Sequence, residues 1–242
     1  MDSNITSLNA RPLHGMFTEV PPRYDLINRI ITLGLDRHWR RLAAEACLQG
    51  SPHRILDIGC GTGDLTINLA RLADDSTSII GLDYSATMLK LAEEKAIRLG
   101  VGGKVDFING DVTALPFPDG YFDCVGISFA FRNLTYKNLL CSPHFLEVRR
   151  VVRLGGRYVV VESSQPANSI IRMLFRFYLR FFVKWVGASL SGNKGAYCYL
   201  AESASRFHSP KKVREMLVAA GFTEVSYRPL FFGVTGIHVA TR

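Results

Sequence analysis

The chain has 242 residues, 48% of them apolar and 21% charged, which supplies a sizeable core and argues against a disordered chain. Its 29 basic and 21 acidic residues leave a formal charge of +8, a balance that serves solubility or favours an anionic membrane or nucleic acid. Five cysteines without a CxxC pair offer neither a disulfide framework nor a zinc signature, and fit a reduced cytoplasmic setting.

Residues 1–15 are polar and predict a frayed or adaptable segment. They lack the basic-then-apolar order of a secretory leader, and no apolar run reaches the roughly 18 residues of a spanning helix. From Phe17 to about Leu48 the pattern predicts helices separated by a turn near Gly34, with Pro21 and Pro22 ahead of one of them. RILDI (54–58) predicts a short strand, followed at once by glycines and by a helix over LTINLARLA. STSIIGLD (76–83) is the next strand, and Ser85 is the expected N-cap of a helix reaching about Leu99. Strands follow in KVDFING (104–110) and YFDCVGISFA (121–130), and FLEVRRVV (145–152) reads as a helix end before a break at LGG. RYVVVES (157–163) is a strong strand, Pro210–Ala220 is a helix stopped by Gly221, and EVSYRPLFF and GIHVATR are the last two strands. Strand and helix alternate throughout, so an α/β layer fold is expected.

The densest chemistry lies in Leu56-Asp57-Ile58-Gly59-Cys60-Gly61-Thr62-Gly63-Asp64, between a strand and a helix, where an open parallel sheet binds its ligand. Gly59 and Gly61 allow backbone to approach a ligand closely; a tight structural turn is the alternative. The NAD fingerprint G-x-G-x-x-G would need glycine at 64, where Asp64 stands. Acids at 57 and 64 oppose a pyrophosphate and suit a cofactor that carries a sulfonium and an ammonium. Asp83 ends the following strand, where a carboxylate accepts hydrogen bonds from both hydroxyls of a ribose. Asp111 after the third strand suits an adenine amino group, with Val112 as an apolar wall, and Ser128 follows the fourth strand. For each acid the plainer alternative is a loop or helix cap.

In this order the motifs DIGCGTGD, GLD, GD and LPFPDGYFD resemble the class I S-adenosylmethionine-dependent methyltransferases. YDLIN (24–28), LGLDRHW (33–39), SFAFRN (128–133), YCYLAES (197–203) and AGF (220–222) narrow the resemblance to the ubiquinone/menaquinone biosynthesis C-methyltransferase family, over nearly all of the chain from Phe17. The resemblance implies a Rossmann-like mixed seven-stranded sheet with N-terminal helices and a helical lid. It divides the chain into a helical cap and acceptor lid over 1–50 and a methyltransferase domain over 51–242 that includes an insertion at 165–208. It places cofactor contacts on Thr62, Asp83, Asp111, Val112 and Ser128, beside Asp57, Gly59 and Gly61, and puts Arg132 at the reacting ring with Asn133 nearby. Ala130 and Phe131 depart from the family's SFGLRN, Asp111-Val112 from its Asn-Ala, and VESS (161–164) from its LEFS.

The implied reaction is transfer of a methyl group from S-adenosylmethionine to a ring carbon of a prenylated hydroquinone. Demethylmenaquinol is the first choice and a 2-methoxy-6-polyprenyl-1,4-benzoquinol the alternative. Such a transfer rests on positioning and charge management and needs no metal in principle. Arg132 is the expected stabiliser of the quinol oxyanion. Tyr24 is expected to stack on the ring and Asp25 to assist proton removal, with packing or pairing as the plain alternative for each. Tyr197, Tyr199 and Ser203 form a second lid candidate; His208 and Glu162 are weaker ones.

The segment 169–190, SIIRMLFRFYLRFFVKWVGASL, contains no acid and repeats Arg172, Arg176, Arg180 and Lys184 at intervals of four. Three uses fit it: peripheral membrane contact, a lid over a prenyl channel, or a homodimer face. RNA or protein methylation and a noncatalytic assembly role on the same fold are the competing functions, and no nucleic-acid module accompanies the positive charge.

Overall fold

The computed structural model of the protein describes residues 24–136, 141–183, 185–186, 189 and 194–242. Pro21, Pro22, Lys184 and the residues before Tyr24 lie outside this set, as do Gly192 and Asn193.

Two helices open the described chain, α1 (Tyr24–Ile31) and α2 (Leu35–Leu48), joined through Gly34 in a left-handed conformation. The alternating units are β1 (Arg54–Ile58), α3 (Asp64–Leu72), β2 (Ser78–Asp83), α4 (Ala86–Arg98), β3 (Val105–Asn109), β4 (Phe122–Ser128), α5 (Phe131–Thr135), α6 (Cys141–Val151) and β5 (Val152–Ser163). After them come α7 (Ser169–Tyr178), α8 (Lys194–Ser205), α9 (Pro210–Ala219), β6 (Thr223–Leu230) and β7 (Thr235–Thr241).

The seven strands form one sheet in the order β3-β2-β1-β4-β5-β7-β6. The first five run parallel, while β7 pairs antiparallel with both β5 and β6. The central parallel strands β1, β2 and β4 are short and mostly buried because helices cover both faces. Alternation along β5 sorts the core. Tyr158 and Val160 join Leu56, Phe122 and Phe131 on one face; Val159 and Val161 join Ile55, Cys124 and Cys47 on the other. The strand order reverses at β1, with β2 on one side and β4 on the other, so a crevice opens beyond the carboxyl ends of these strands.

Local signals explain most boundaries. Ser85 Oγ accepts from the Met88 amide at 3.3 Å and Ser209 Oγ from Lys212 at 3.3 Å, caps worth about 1 kcal/mol each. Two expectations change. The LGG at 154–156 does not interrupt the chain: β5 runs through it with a register shift against β4, and Gly155 N–H donates to the Arg242 carbonyl at 2.9 Å. The single helix that the four-residue spacing of Arg172, Arg176 and Arg180 suggests is interrupted: it is α-helical to Tyr178, widens to a π turn over Leu179–Val183, and is α-helical again at 185, 186 and 189.

The N-terminal helices divide between two packing groups. Trp39, Ala43, Ala44 and Cys47 of α2 belong to the core beneath the sheet. Ile27 and Ile31 of α1 pack instead with Leu179, Val183, Tyr197 and Ala201, and Tyr178 Oη donates to the Ile31 carbonyl at 2.5 Å. Helix α1, the π turn and α8 therefore form a small separate core above the crevice.

Candidate active site

A cavity of about 770 Å³ occupies the crevice, toward the upper end of the size range of small-molecule sites. The sheet supplies its floor, including Asp57, Gly59, Gly61, Thr62, Asp83, Asp111, Val112 and Ser128. Arg132, Asn133 and Tyr24 line it further out, with Tyr197 and Tyr199 of α8. The far wall is apolar, with Leu174 and Phe175 of α7 and Leu179 and Val183 of the π turn. Asp25, Ser203, His208 and Glu162 do not line it.

The glycine-rich loop is shaped by its conformation. Gly61 has φ +56°, and a Cβ built there would meet nothing within 4 Å, so its outer side is open to a ligand. Gly59 has φ +62°, and its Cβ would lie 2.9 Å from that of Ala130. The loop is tied to the next strand: Gly61 N–H donates to Asp83 Oδ2 at 2.8 Å, and Asp83 Oδ1 accepts from the Ser85 amide at 2.9 Å. A carboxylate can accept about four hydrogen bonds, and with backbone bonds from Gly61, Tyr84 and Ser85 Asp83 keeps acceptor capacity for a ligand hydroxyl. Burial raises its pKa above the ordinary carboxylate value.

Asp57 is fully buried. Its Oδ2 accepts from Thr66 Oγ1 at 2.7 Å, and its Oδ1 has no partner among the described residues. Burial lifts its pKa to about 7, against the opposing bonds from Thr66. Asp64 behaves differently. Burial pushes its carboxyl up, but the charges of Arg40 and Lys95 outweigh that and hold it below its usual value. Lys95 Nζ lies 2.9 Å from it and Arg40 Nη1 3.5 Å. Asp57 and Asp83 are therefore the buried acids that face the cavity without an ion pair among the described residues, and Asp64 is spent inside the protein.

The orphaned Asp57 Oδ1, the spare acceptor capacity of Asp83 and the buried, unpartnered Ser128 Oγ make a donor set suited to a cationic nucleoside. Asp111 is exposed and holds its own turn, its Oδ1 accepting from the amide and hydroxyl of Thr113 at 2.8 Å each.

Arg132 is buried on the short helix α5. Its Nη1 donates to Glu162 Oε1 at 2.7 Å and to Ser163 Oγ at 3.1 Å, and its amide donates to Glu162 Oε2 at 3.0 Å. Nε is buried without a partner among the described residues. The guanidinium is thus fixed and its charge balanced, so it offers a directed donor rather than a free cation. Phe129, just before α5, has φ +56° and donates its N–H to the Val161 carbonyl at 2.9 Å. A bulky residue rarely takes this conformation; here it turns the chain from β4 into α5.

Asp25 is placed elsewhere than expected. Its Oδ2 meets Lys95 Nζ at 2.5 Å and its Oδ1 accepts from Thr62 Oγ1 at 2.8 Å. Both oxygens are engaged, so the carboxylate fastens α1 to the glycine-rich loop. Thr62 Oγ1 also accepts from Lys95 at 2.9 Å, leaving its backbone as the group available to a ligand. Tyr24 is half-buried, and burial raises its phenol pKa. The hydroxyls of Tyr197 and Tyr199 are buried without partners among the described residues. Ser203 Oγ instead donates to the Tyr199 carbonyl of its own helix at 2.7 Å, and His208 packs against Phe207 and Tyr136.

Sequence reasoning missed Lys95, Arg40 and Trp39. Lys95 carried a signal: it falls on the apolar stripe of Met88, Ala92 and Ala96, where a charge requires a partner.

The sequence profile of the ubiE/COQ5 methyltransferase family matches residues 5–242. The demethylmenaquinone methyltransferase of Thermus thermophilus is 42% identical over 228 residues, 94% of this chain and 100% of that one. The ubiquinone/menaquinone biosynthesis C-methyltransferase UbiE of Pseudomonas savastanoi pv. phaseolicola is 35% identical over 232 residues, 96% of this chain and 89% of the other. Among solved structures, human N-acetylserotonin methyltransferase in complex with SAM has a TM-score of 0.62 at 13% identity, across 100% of this chain and 60% of that one, a likeness of fold.

Proposed function

The chain belongs to the ubiE/COQ5 methyltransferase family, and from that premise we propose that it methylates a ring carbon of a prenylated hydroquinone with S-adenosylmethionine as donor. Demethylmenaquinol is the first acceptor, since the relatives at 42% identity carry that activity in their names. A 2-methoxy-6-polyprenyl-1,4-benzoquinol is the second, because the relatives at 35% are named for both quinones. The observation that carries the reading is the division of the cavity: an acidic, glycine-rich floor under an apolar wall.

When bound, S-adenosylmethionine supplies an electrophilic methyl group on a sulfonium centre. Asp57 and Asp83 favour that positive charge over an anionic cofactor, and Asp83 accepts from the ribose hydroxyls. Ser128, Asp111 and Val112 flank the base. The reduced ring is the nucleophile, and Arg132 Nε is the directed donor for its ring oxygen. Asn133, Tyr24, Tyr197 and Tyr199 position the ring, with tyrosines offering an apolar face and a polar tip. The Asp25–Lys95–Thr62 cluster holds α1 closed over the floor and excludes water.

A paired turnover assay tests the proposal. Purified protein receives the cofactor and reduced demethylated naphthoquinol or benzoquinol, and product mass and regiochemistry are measured. A new carbon-bound methyl on a quinol is expected. Folded, cofactor-bound protein that methylates neither reduced ring would overturn the reading.

A further inference from the structure

The outer face of α7 is the reverse of what a soluble surface helix presents. Its inward residues Ile171, Phe175 and Tyr178 are partly buried, while the outward ones are also apolar. Phe177 of α7, Phe181 of the π turn and Trp185 just beyond it are 63, 53 and 68% exposed and extend this face, and the rings of Phe177 and Phe181 lie 4.4 Å apart in the open. A patch of this kind signals an interaction surface.

The stripe is continuous with the mouth of the cavity. Leu33, Leu174, Phe231 and Phe232 both line the cavity and are about half or more exposed, which marks an opening on this side. Three of them sit in left-handed backbone, with φ +54° at Leu33, +42° at Phe231 and +57° at Phe232. Such residues cost about 1–3 kcal/mol each and collect at functional sites. Here the strain holds two adjacent phenylalanines and a leucine outward around an opening.

Charge selects the partner. Arg176 and Arg180 are exposed along one flank of the stripe and form no ion pair with any described residue. Arg180 lies over the Phe181 ring at 5.8 Å, and Arg172 is turned back to donate to the Pro166 carbonyl at 2.8 Å. No acid occurs in 169–190. Apolar rings with arginines beside them match the boundary between hydrocarbon and anionic headgroups.

We propose that the α7 face and the cavity rim dock on a bilayer containing anionic phospholipid, with the cavity mouth turned to the hydrocarbon. The docking stands without any acceptor; the corollary that an isoprenoid tail passes from the bilayer into the cavity rests on the quinol reading above.

Vesicle flotation tests it, with phosphatidylcholine alone and phosphatidylcholine mixed with phosphatidylglycerol. The full chain is expected to float with the mixed vesicles more than with neutral ones. Arg176→Gln with Arg180→Gln should lower partitioning to the mixed vesicles roughly thirtyfold, about fivefold per charge. Phe177→Ser with Phe181→Ser should lower partitioning to both vesicle types at least about tenfold. None of these four residues lines the cavity, so both variants should keep wild-type circular dichroism and wild-type turnover of a short-tailed, water-soluble quinol. Wild-type protein that stays in the dense fraction with mixed vesicles would overturn the proposal. So would folded variants that float like wild type, or a light-scattering mass showing the stripe buried between two copies that persist on vesicles. Flotation contains no quinol, so its failure is distinct from failure of methyl transfer.

Discussion

Replacing Asp57 with asparagine separates the two effects of the most buried acid in the site. The ordinary carboxyl value of 3.8 becomes about 7 in the folded protein, chiefly through burial. Below about pH 4 both folded and unfolded forms carry the proton; between about 4 and 7 only the folded form does. Stability from this group is therefore present at low pH and is lost as pH rises toward 7, by roughly 4 kcal/mol in total. The asparagine side chain of the variant does not titrate. Its amide retains an oxygen for Thr66 Oγ1 and adds buried N–H groups, a change of about 1–3 kcal/mol that does not depend on pH. The informative quantity is thus the difference in unfolding free energy between variant and wild type, followed by urea denaturation from about pH 4 to pH 8. It should move toward the variant by roughly 4 kcal/mol across that window. In parallel, wild-type affinity for S-adenosylmethionine should rise through pH 7 as Asp57 ionises, while the variant binds roughly tenfold more weakly at pH 8 without that rise. A stability difference that stays flat with pH would refute the buried, proton-retaining state of Asp57.

Other substitutions probe separate parts of the site. Glu162→Gln keeps an oxygen for the 2.7 Å bond from Arg132 but removes the charge that balances the buried guanidinium and should destabilise the fold by about 3–5 kcal/mol; denaturant unfolding reads this. Under conditions where the variant is folded, its turnover should fall more than its cofactor affinity, as it should for Arg132→Ala. Gly59→Ala brings a methyl to 2.9 Å from Ala130 at φ +62° and should cost about 1–3 kcal/mol. Adding Ala130→Gly should recover only part, since the contact is relieved and the backbone strain is not. Lys95→Met removes the cation between Asp25 and Asp64 and should open the α1 lid, seen as faster amide exchange over 24–31 and a raised KM for the acceptor.

The sheet was legible because its signals are local. RILDI and RYVVVES are apolar runs that only covered strands tolerate; Ser85 marks a helix start through its side-chain oxygen, and Gly221 a helix end through its left-handed backbone. That the glycine loop, Asp83 and Ser128 would line one cavity was legible because the sheet's reversal point brings strand ends together. Asp25 was misplaced because its role is fixed by Lys95, far along the chain on another helix, and no spacing rule reports such a pair. The π turn at Leu179–Val183 was hidden for a related reason: Leu179 and Val183 pack with Ile27 and Ile31, far away in the sequence, and composition alone does not report such a contact. Phe231 and Phe232 read as the end of a strand, yet their backbone turns left-handed and puts them on the cavity rim.

Calorimetric titration of wild type and Asp83→Asn with S-adenosylmethionine and, separately, NADH tests the cofactor assignment most directly. The acidic floor predicts S-adenosylmethionine binding one to one, roughly thirtyfold weaker in the variant for loss of charged hydrogen bonds, with NADH giving no heat in either protein. Saturable NADH binding that S-adenosylmethionine fails to displace would contradict it.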